Sequence, residues 1–134
     1  MSKRLDETLN TPDYDGLIVG NKPVADVFSV TIRKLGAAAT LKRGTVLSLS
    51  TGSGGDGKCV VLGTTAGSNE TLTANCVLCD DVEVGTSADV TAIAYRTGKL
   101  NAGRLIVATG YTMTAADKEA LRNGGILIDT AIEA

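Results

Sequence analysis

Apolar residues in this chain return at every second position in one stretch after another, and only near the C-terminus does the period lengthen. Alternation puts successive side chains on opposite faces of an extended backbone, so it predicts half-buried strands. Phe28, Val30 and Ile32 alternate with Val27, Ser29, Thr31 and Arg33, giving one apolar face and one mostly polar face. Thr45, Leu47 and Leu49 share a face in the next run, and Val90, Ala92 and Ala94 oppose Thr91, Ile93 and Tyr95 in a later one. Leu72, Ala74, Cys76 and Leu78 would line one side of another strand. Shorter β-type runs follow Cys59, span 104–108 and close the chain at 126–129.

Between these runs lie turn signals: Lys42-Arg43-Gly44, the loop 63–71, Arg96-Thr97-Gly98-Lys99, and a break at Asn101-Ala102-Gly103. Residues 34–40 read as a small-residue connection, with a short helical turn as the alternative. The one helical stretch is Thr112 to Gly124, with Thr114 as a capping residue, Asp117 three positions on, good helix formers after it and glycine at its end. The expected fold class is therefore mostly β (α+β) with one short C-terminal helix. With 16 Gly, no Trp and a single Phe, the core must be aliphatic.

A chain of 134 residues fits one domain with a real core. Its net charge is −2 and its 13 basic residues are scattered, which leaves no footprint for nucleic acid or an anionic membrane. No apolar run approaches the ~20 residues of a membrane span. Three cysteines cannot all pair within one chain, and the polar start Met-Ser-Lys-Arg carries no signal peptide, so synthesis in a reducing cytoplasm is expected.

Residues 1–23 differ from the rest. They carry many charges, Pro12 and Pro23, and one apolar run, Leu17-Ile18-Val19. Such a stretch has too little apolar surface to order alone, which predicts an arm (1–23) ahead of a domain (24–134). Extended-favouring prolines and an apolar run suit strand addition on the edge of a partner's sheet. Leu17, Ile18, Val19, Val24 and Phe28 are the expected contact residues. Asp13-Tyr14-Asp15-Gly16 is a fragment of a calcium loop whose later ligands are missing.

Three constellations could carry chemistry. Gly52 to Lys58 spells G-x-x-x-x-G-K, but a phosphate loop needs a Ser or Thr after the Lys and a following helix. Here Cys59 and a β-type run follow, so a Gly-rich connection between antiparallel strands is expected. Cys76 and Cys79 fall on opposite faces of a strand, no helix follows to activate a thiol, and three Cys without His fall short of a four-ligand zinc site. Asp80 and Asp81 diverge in an extended segment, and with no His the Ser-His-Asp and Cys-His systems are excluded. The reading is of a non-enzyme with no cofactor, no metal and no small-molecule substrate.

Short motifs in a fixed order carry a family resemblance: Arg43-Gly44-Thr45-Val46-Leu47, Gly57-Lys58 leading a strand, Cys76 to Val84, Ala94-Tyr95-Arg96-Thr97-Gly98, and Leu121-Arg122-Asn123-Gly124-Gly125-Ile126. Over about Gly44 to Asp129 the chain resembles tailed-phage head decoration proteins of the lambda protein D type. Members compared with it usually carry Gly or Ala where this chain has Cys76 and Cys79, so small residues and not thiols are wanted there. The resemblance implies a compact mixed-β domain of the β-tulip type that forms a homotrimer. It would act as a cement on threefold and quasi-threefold sites of the expanded head, on the outer surface of a virion assembled in the host cytoplasm. The implied partners are the major capsid protein and the chain itself, with the arm meeting the shell. A generic β-rich virion or tail interaction module is the alternative, and a small Cys-metal or nucleotide-binding protein a remote one.

Overall fold

The computed structural model describes residues 17–20 and 24–129. In chain order its elements are β1 (Ile18–Gly20), β2 (Asp26–Ile32), β3 (Ala39–Leu41), β4 (Val46–Thr51), β5 (Cys59–Val61), β6 (Thr71–Leu78), β7 (Val82–Val84), β8 (Val90–Asn101), a 3-10 turn at Ala102–Arg104, α1 (Ala115–Gly124) and β9 (Ile126–Asp129). The fold is mostly β with one short helix, as the alternation and the single lengthened period require.

Five strands close on themselves. β8 pairs with β2, β2 with β5, β5 with β4 and β4 with β6, and β6 returns to β8 through Val77 opposite Tyr95 and Leu78 opposite Ala94. The contacts are antiparallel except for β2 and β5, which meet in parallel at Ile32 and Cys59. Closure shields most barrel edges, with the seam between β2 and β5 joined only at Ile32 and Cys59. Its interior takes residues from all five strands: Val30 and Ile32, Leu47, Cys59, Cys76 and Leu78, and Ala92 and Ala94. So narrow a barrel has room only for a mixture of branched and small side chains, and this is the physical reason for alanine and cysteine at those places.

A second buried cluster lies outside the barrel wall. Val46, Ala74, Val77 and Tyr95 meet Leu17, Leu62, Leu100, Leu121 and Ile126 there. α1 contributes Leu121, which is fully buried. Its start is fixed by a reciprocal cap in which the Asp117 amide donates to the Thr114 hydroxyl (3.1 Å) and the Thr114 amide to the Asp117 carboxylate (2.9 Å). It ends at Gly125, in the left-handed conformation (φ 112°) that glycine tolerates best.

Four readings from the sequence need correction. Arg96 to Lys99 is no turn: β8 runs unbroken for 12 residues. Its last part lies between β1 (Ile18 opposite Leu100) and β9, which runs parallel to it from Gly98 opposite Ile126 to Asn101 opposite Asp129. Gly98, at φ 148° and close to Ala25, lies within the strand where a turn was expected. Ala74 and Cys76 do not share a face, because the register slips between Leu47–Cys76 and Ser48–Ala74. The extra residue, Asn75, sends Ala74 toward the helix side and Cys76 into the barrel. The stretch 104–108 is not a strand of the sheet: it forms a bridge from Thr45 to Ile106, and the Ala108 amide donates to the Leu62 carbonyl at 2.9 Å. Finally, the 34–40 connection hides the start of β3, which pairs with β7 and brings Leu41, Val82 and Val84 onto the barrel core.

Candidate interaction surface

The five residues expected to meet a partner are scattered in the fold. Leu17 is 1 % exposed and packs in the helix-side core, and its carbonyl accepts the Asn101 amide at 2.7 Å. A side chain held in this way cannot also reach outward, so Leu17 is a structural anchor. The physical reason is the far end of β8: without β1, Leu100 would keep only its β9 partner, Ile128, and lose part of its cover. Ile18 and Val19 sit on β1 and are half-buried. Phe28 is half-buried too and packs against the barrel core with Val30 and Ile32. Of the five, Val24 alone is widely exposed, at 70 %.

Two residues outside that set are also exposed and apolar. Val27 and Ile93 are exposed on the outer face of β2 and β8, where Val27 faces Tyr95 and Ser29 faces Ile93. The diagonal between them falls within reach of aliphatic side chains. The patch is rimmed by the Arg96–Asp26 ion pair (2.9 Å) and by the Thr97 hydroxyl, which donates to the Val24 carbonyl at 2.7 Å. An apolar centre with a charged rim is the anatomy of a docking surface. The signal was present in the alternation, which put Val27 on a face otherwise polar and Ile93 on the side of β8 facing away from the barrel interior.

The Gly-rich loop 52–58 joins two antiparallel strands, and its amides are already engaged. Gly54 donates to Asn69, Gly55 to Gly52, Gly57 to Ser50, Asp56 to the Ser50 hydroxyl and Lys58 to the Asp56 carboxylate. The Lys58 ammonium sits 2.5 Å from Asp89. A phosphate would have to displace most of these bonds. What the loop does instead is close an ionic clamp. Arg33, at the end of β2, holds Asp56 with two bonds (2.9 and 3.0 Å) and also donates to Glu70. Glu70 further accepts the Gly67 amide (2.7 Å) and the buried Ser50 hydroxyl.

These partners shift the titrations of both acids. The Gly67 amide, then Ser50 and Arg33, hold the Glu70 carboxyl down at about 2. The Arg33 fork holds Asp56 at about 2. The acids in turn raise Arg33 above its ordinary value. Two loops and the end of β2 are thereby tied to one guanidinium.

The cysteines divide as the strand geometry requires. Cys76 points into the barrel and Cys79 packs toward the helix side. Cys59, seventeen positions earlier in the chain, meets Cys76 inside the barrel. Their hydrogen bond and the surrounding burial push the Cys76 thiol up, while the same bond pulls the Cys59 thiol down. Asp81 accepts the Arg43 amide at 2.8 Å, whereas Asp80 is exposed at a bend. Among the described residues no group of three or more His, Cys, Asp or Glu side chains could hold a metal ion.

A family model described as bacteriophage lambda head decoration protein D matches residues 11–127. No curated protein matches the chain.

Proposed function

Because the chain belongs to the bacteriophage lambda head decoration protein D family, we propose that it acts as a cement: three copies associate and sit on threefold and quasi-threefold sites of the expanded head, on its outer surface. The family is one of structural capsid proteins, and the β-rich fold agrees with that role. The major capsid protein is then the partner, and assembly takes place where heads mature, in the host cytoplasm.

The observation that carries the attachment mode is the position of β1. It is terminal in the sheet order and pairs with β8 on one side. Residues 1–16 are its direct N-terminal extension, so an arm that adds as a strand to a shell sheet would prolong an edge that already exists. In this reading Leu17 fastens the arm to the domain, with Ile18 and Val19 as its first extended residues. Val24 acts with Val27 and Ile93 as a flat apolar contact against the shell, and Phe28 supports the patch from the barrel side. Three arms on a cyclic trimer engage together, which multiplies avidity by roughly 10² to 10⁴ over a single arm if all can bind at once.

The test is a pair of truncations assayed on expanded heads by co-sedimentation, with native mass spectrometry of the free protein. Removing residues 1–16 is expected to abolish head binding and leave a folded trimer. Removing 1–23 also takes Leu17 out of the core and is expected to destabilise the domain by about 2–5 kcal/mol. Undiminished head binding by the shorter truncation would overturn the arm mechanism, and a monomeric mass for the full chain would overturn the trimer.

A further inference from the structure

The barrel is open along most of one seam. β2 and β5 meet only at Ile32 and Cys59, so Val27 to Thr31 have β8 on one side and, among the described residues, no strand on the other. The cause is local. Before Cys59 the chain turns away from β2: the Gly57 amide, at φ 74°, donates to the Ser50 carbonyl (3.0 Å) and the Gly54 amide to the Asn69 carbonyl (2.8 Å), which draws the Gly-rich loop toward β4 and the 63–71 loop.

Two hydrogen bonds fix which backbone groups face the gap. The Arg33 amide donates to the Cys59 carbonyl (3.0 Å), so Arg33 points its backbone toward β5, and by alternation so do Thr31, Ser29 and Val27. On β8 the Ile93 carbonyl accepts the Cys79 amide (2.9 Å), so Ile93 points its backbone away from β2 and its pair with Ser29 is a non-hydrogen-bonded one. Both observations aim the Ser29 amide and carbonyl into the gap. At one end the Asp26 carboxylate takes the Val27 amide at 3.0 Å. The Val27 carbonyl, both Ser29 groups and the Thr31 amide remain, and among the described residues nothing bonds to them. Burial on the barrel side follows the gap. Ile32, which β5 covers, is fully buried; Val30 is 8 % exposed, and Phe28, farthest of the three from β5, is half-buried.

We propose that this edge of β2 receives an extended segment of the shell subunit, which adds as a strand in the gap beside the Gly-rich loop. This contact rests on the decoration reading above and gives the same partner a second hold, with the strand passing from shell to domain. Three features select that occupant. The edge belongs to the strand that carries Val27 and faces Ile93, so a shell lying against those exposed side chains has its segments beside it. The open backbone groups are matched by a segment of about five residues lying antiparallel, which places alternate apolar side chains over Phe28 and Val30. Charge gives the segment a polarity: Asp26, paired with Arg96, stands at one end of the edge. Lys34 stands at the other, exposed and with no ion-pair partner among the described residues, so a carboxylate of the segment belongs there. A second copy fits less well, because β2 against β2 makes a twofold pair and does not close a ring of three.

Hydrogen exchange read at single amides tests this. In the free protein Ser29 and Thr31 should exchange at least about tenfold faster than Phe28, Val30 and Ile32, whose amides β8 holds. Labelling on expanded heads, followed by release and readout, should slow Ser29 and Thr31 by about tenfold or more, the factor that one added hydrogen bond gives. Ser29→Pro removes the outward donor at an edge position, where proline is tolerated, and should weaken co-sedimentation with heads by about tenfold. Slow exchange of Ser29 and Thr31 in the free protein would overturn the proposal, and if that slowing disappears on dilution the edge belongs to a second copy. Bound protein in which both amides exchange as in the free protein would overturn the strand addition and leave the decoration reading standing. So would a folded Ser29→Pro variant that binds as the unmodified chain does. Failure of the unmodified chain to co-sediment would overturn the decoration reading itself, and this contact with it.

Discussion

The apolar patch on the outer face of β2 and β8 gives a quantitative test of where binding energy resides. Val24 is 70 % exposed, Val27 44 % and Ile93 40 %, together about one and a half fully exposed aliphatic side chains. Full burial of such a side chain contributes about 1.5–3 kcal/mol, so covering the patch contributes roughly 2–5 kcal/mol per protomer. Replacing all three residues by serine removes most of that and introduces no charge. The expected result is an affinity for expanded heads lower by about 30-fold or more, since 1.4 kcal/mol is a factor of ten. Loss of orientational freedom and imperfect fit make area an upper guide, so the lower bound is the useful one. The assay is a titration of heads by co-sedimentation, with thermal unfolding as a control. Because these side chains belong to neither buried cluster, the melting temperature should move little. A triple variant that keeps its fold and binds within threefold of the unmodified protein would refute the assignment of the patch to shell contact.

Other perturbations probe the scaffold. Leu121→Ala opens a cavity where α1 meets the barrel wall and should cost about 2–5 kcal/mol in urea unfolding; a loss below 1 kcal/mol would show that the helix is not part of the cooperative unit. Thr114→Ala removes half of the helix cap and should cost about 1 kcal/mol. The clamp makes a pH prediction. Asp56 and Glu70 have folded pKa values of about 2, below their ordinary 3.8 and 4.5. Depressed acids contribute stability that is present above the unfolded values and lost as pH falls through the folded ones. The melting temperature should therefore drop between about pH 4.5 and pH 2, and Arg33→Met should flatten that drop while lowering stability at pH 7. An Arg33→Met profile parallel to that of the unmodified protein would refute the clamp.

How far the sequence carries the fold depends on the range of the forces involved. The alternation at Phe28–Ile32 and the cap at Thr114 are local, and both appear in the structure where the pattern puts them. The faces of β6 could not be read so directly, because a bulge at Asn75 is fixed by the partner strand β4 and leaves no mark in the alternation itself. Gly98 looked like a turn because glycine signals either reversal or a bend. The choice was made by β1 and β9, which occupy both sides of β8. Leu17 misled for the same reason. Seen alone it is an apolar residue in a charged segment, and only the uncovered end of β8, distant in sequence, shows that it belongs to the core. The Cys59–Cys76 meeting and the Arg33 clamp likewise join residues that only barrel closure brings together.

That closure bears on what a cement protein of this kind needs. A domain that binds by adding a strand must offer one edge and protect the rest, or it will pair with its own copies. Here the barrel strands pair with one another around the ring, β2 and β5 meeting only at Ile32 and Cys59, and the short β3 spends one side on β7. The long β8 gives its far end to β1 on one side and β9 on the other. β9 closes the chain's C-terminal half, and β1 opens directly into residues 1–16. Of the two strands flanking the end of β8, β1 is the one that leads back into residues 1–16, whose Pro12, charges and low apolar content suit an arm. In the proposed attachment mode strand addition would start from β1, with the buried Leu17 as the last described residue on the scaffold side.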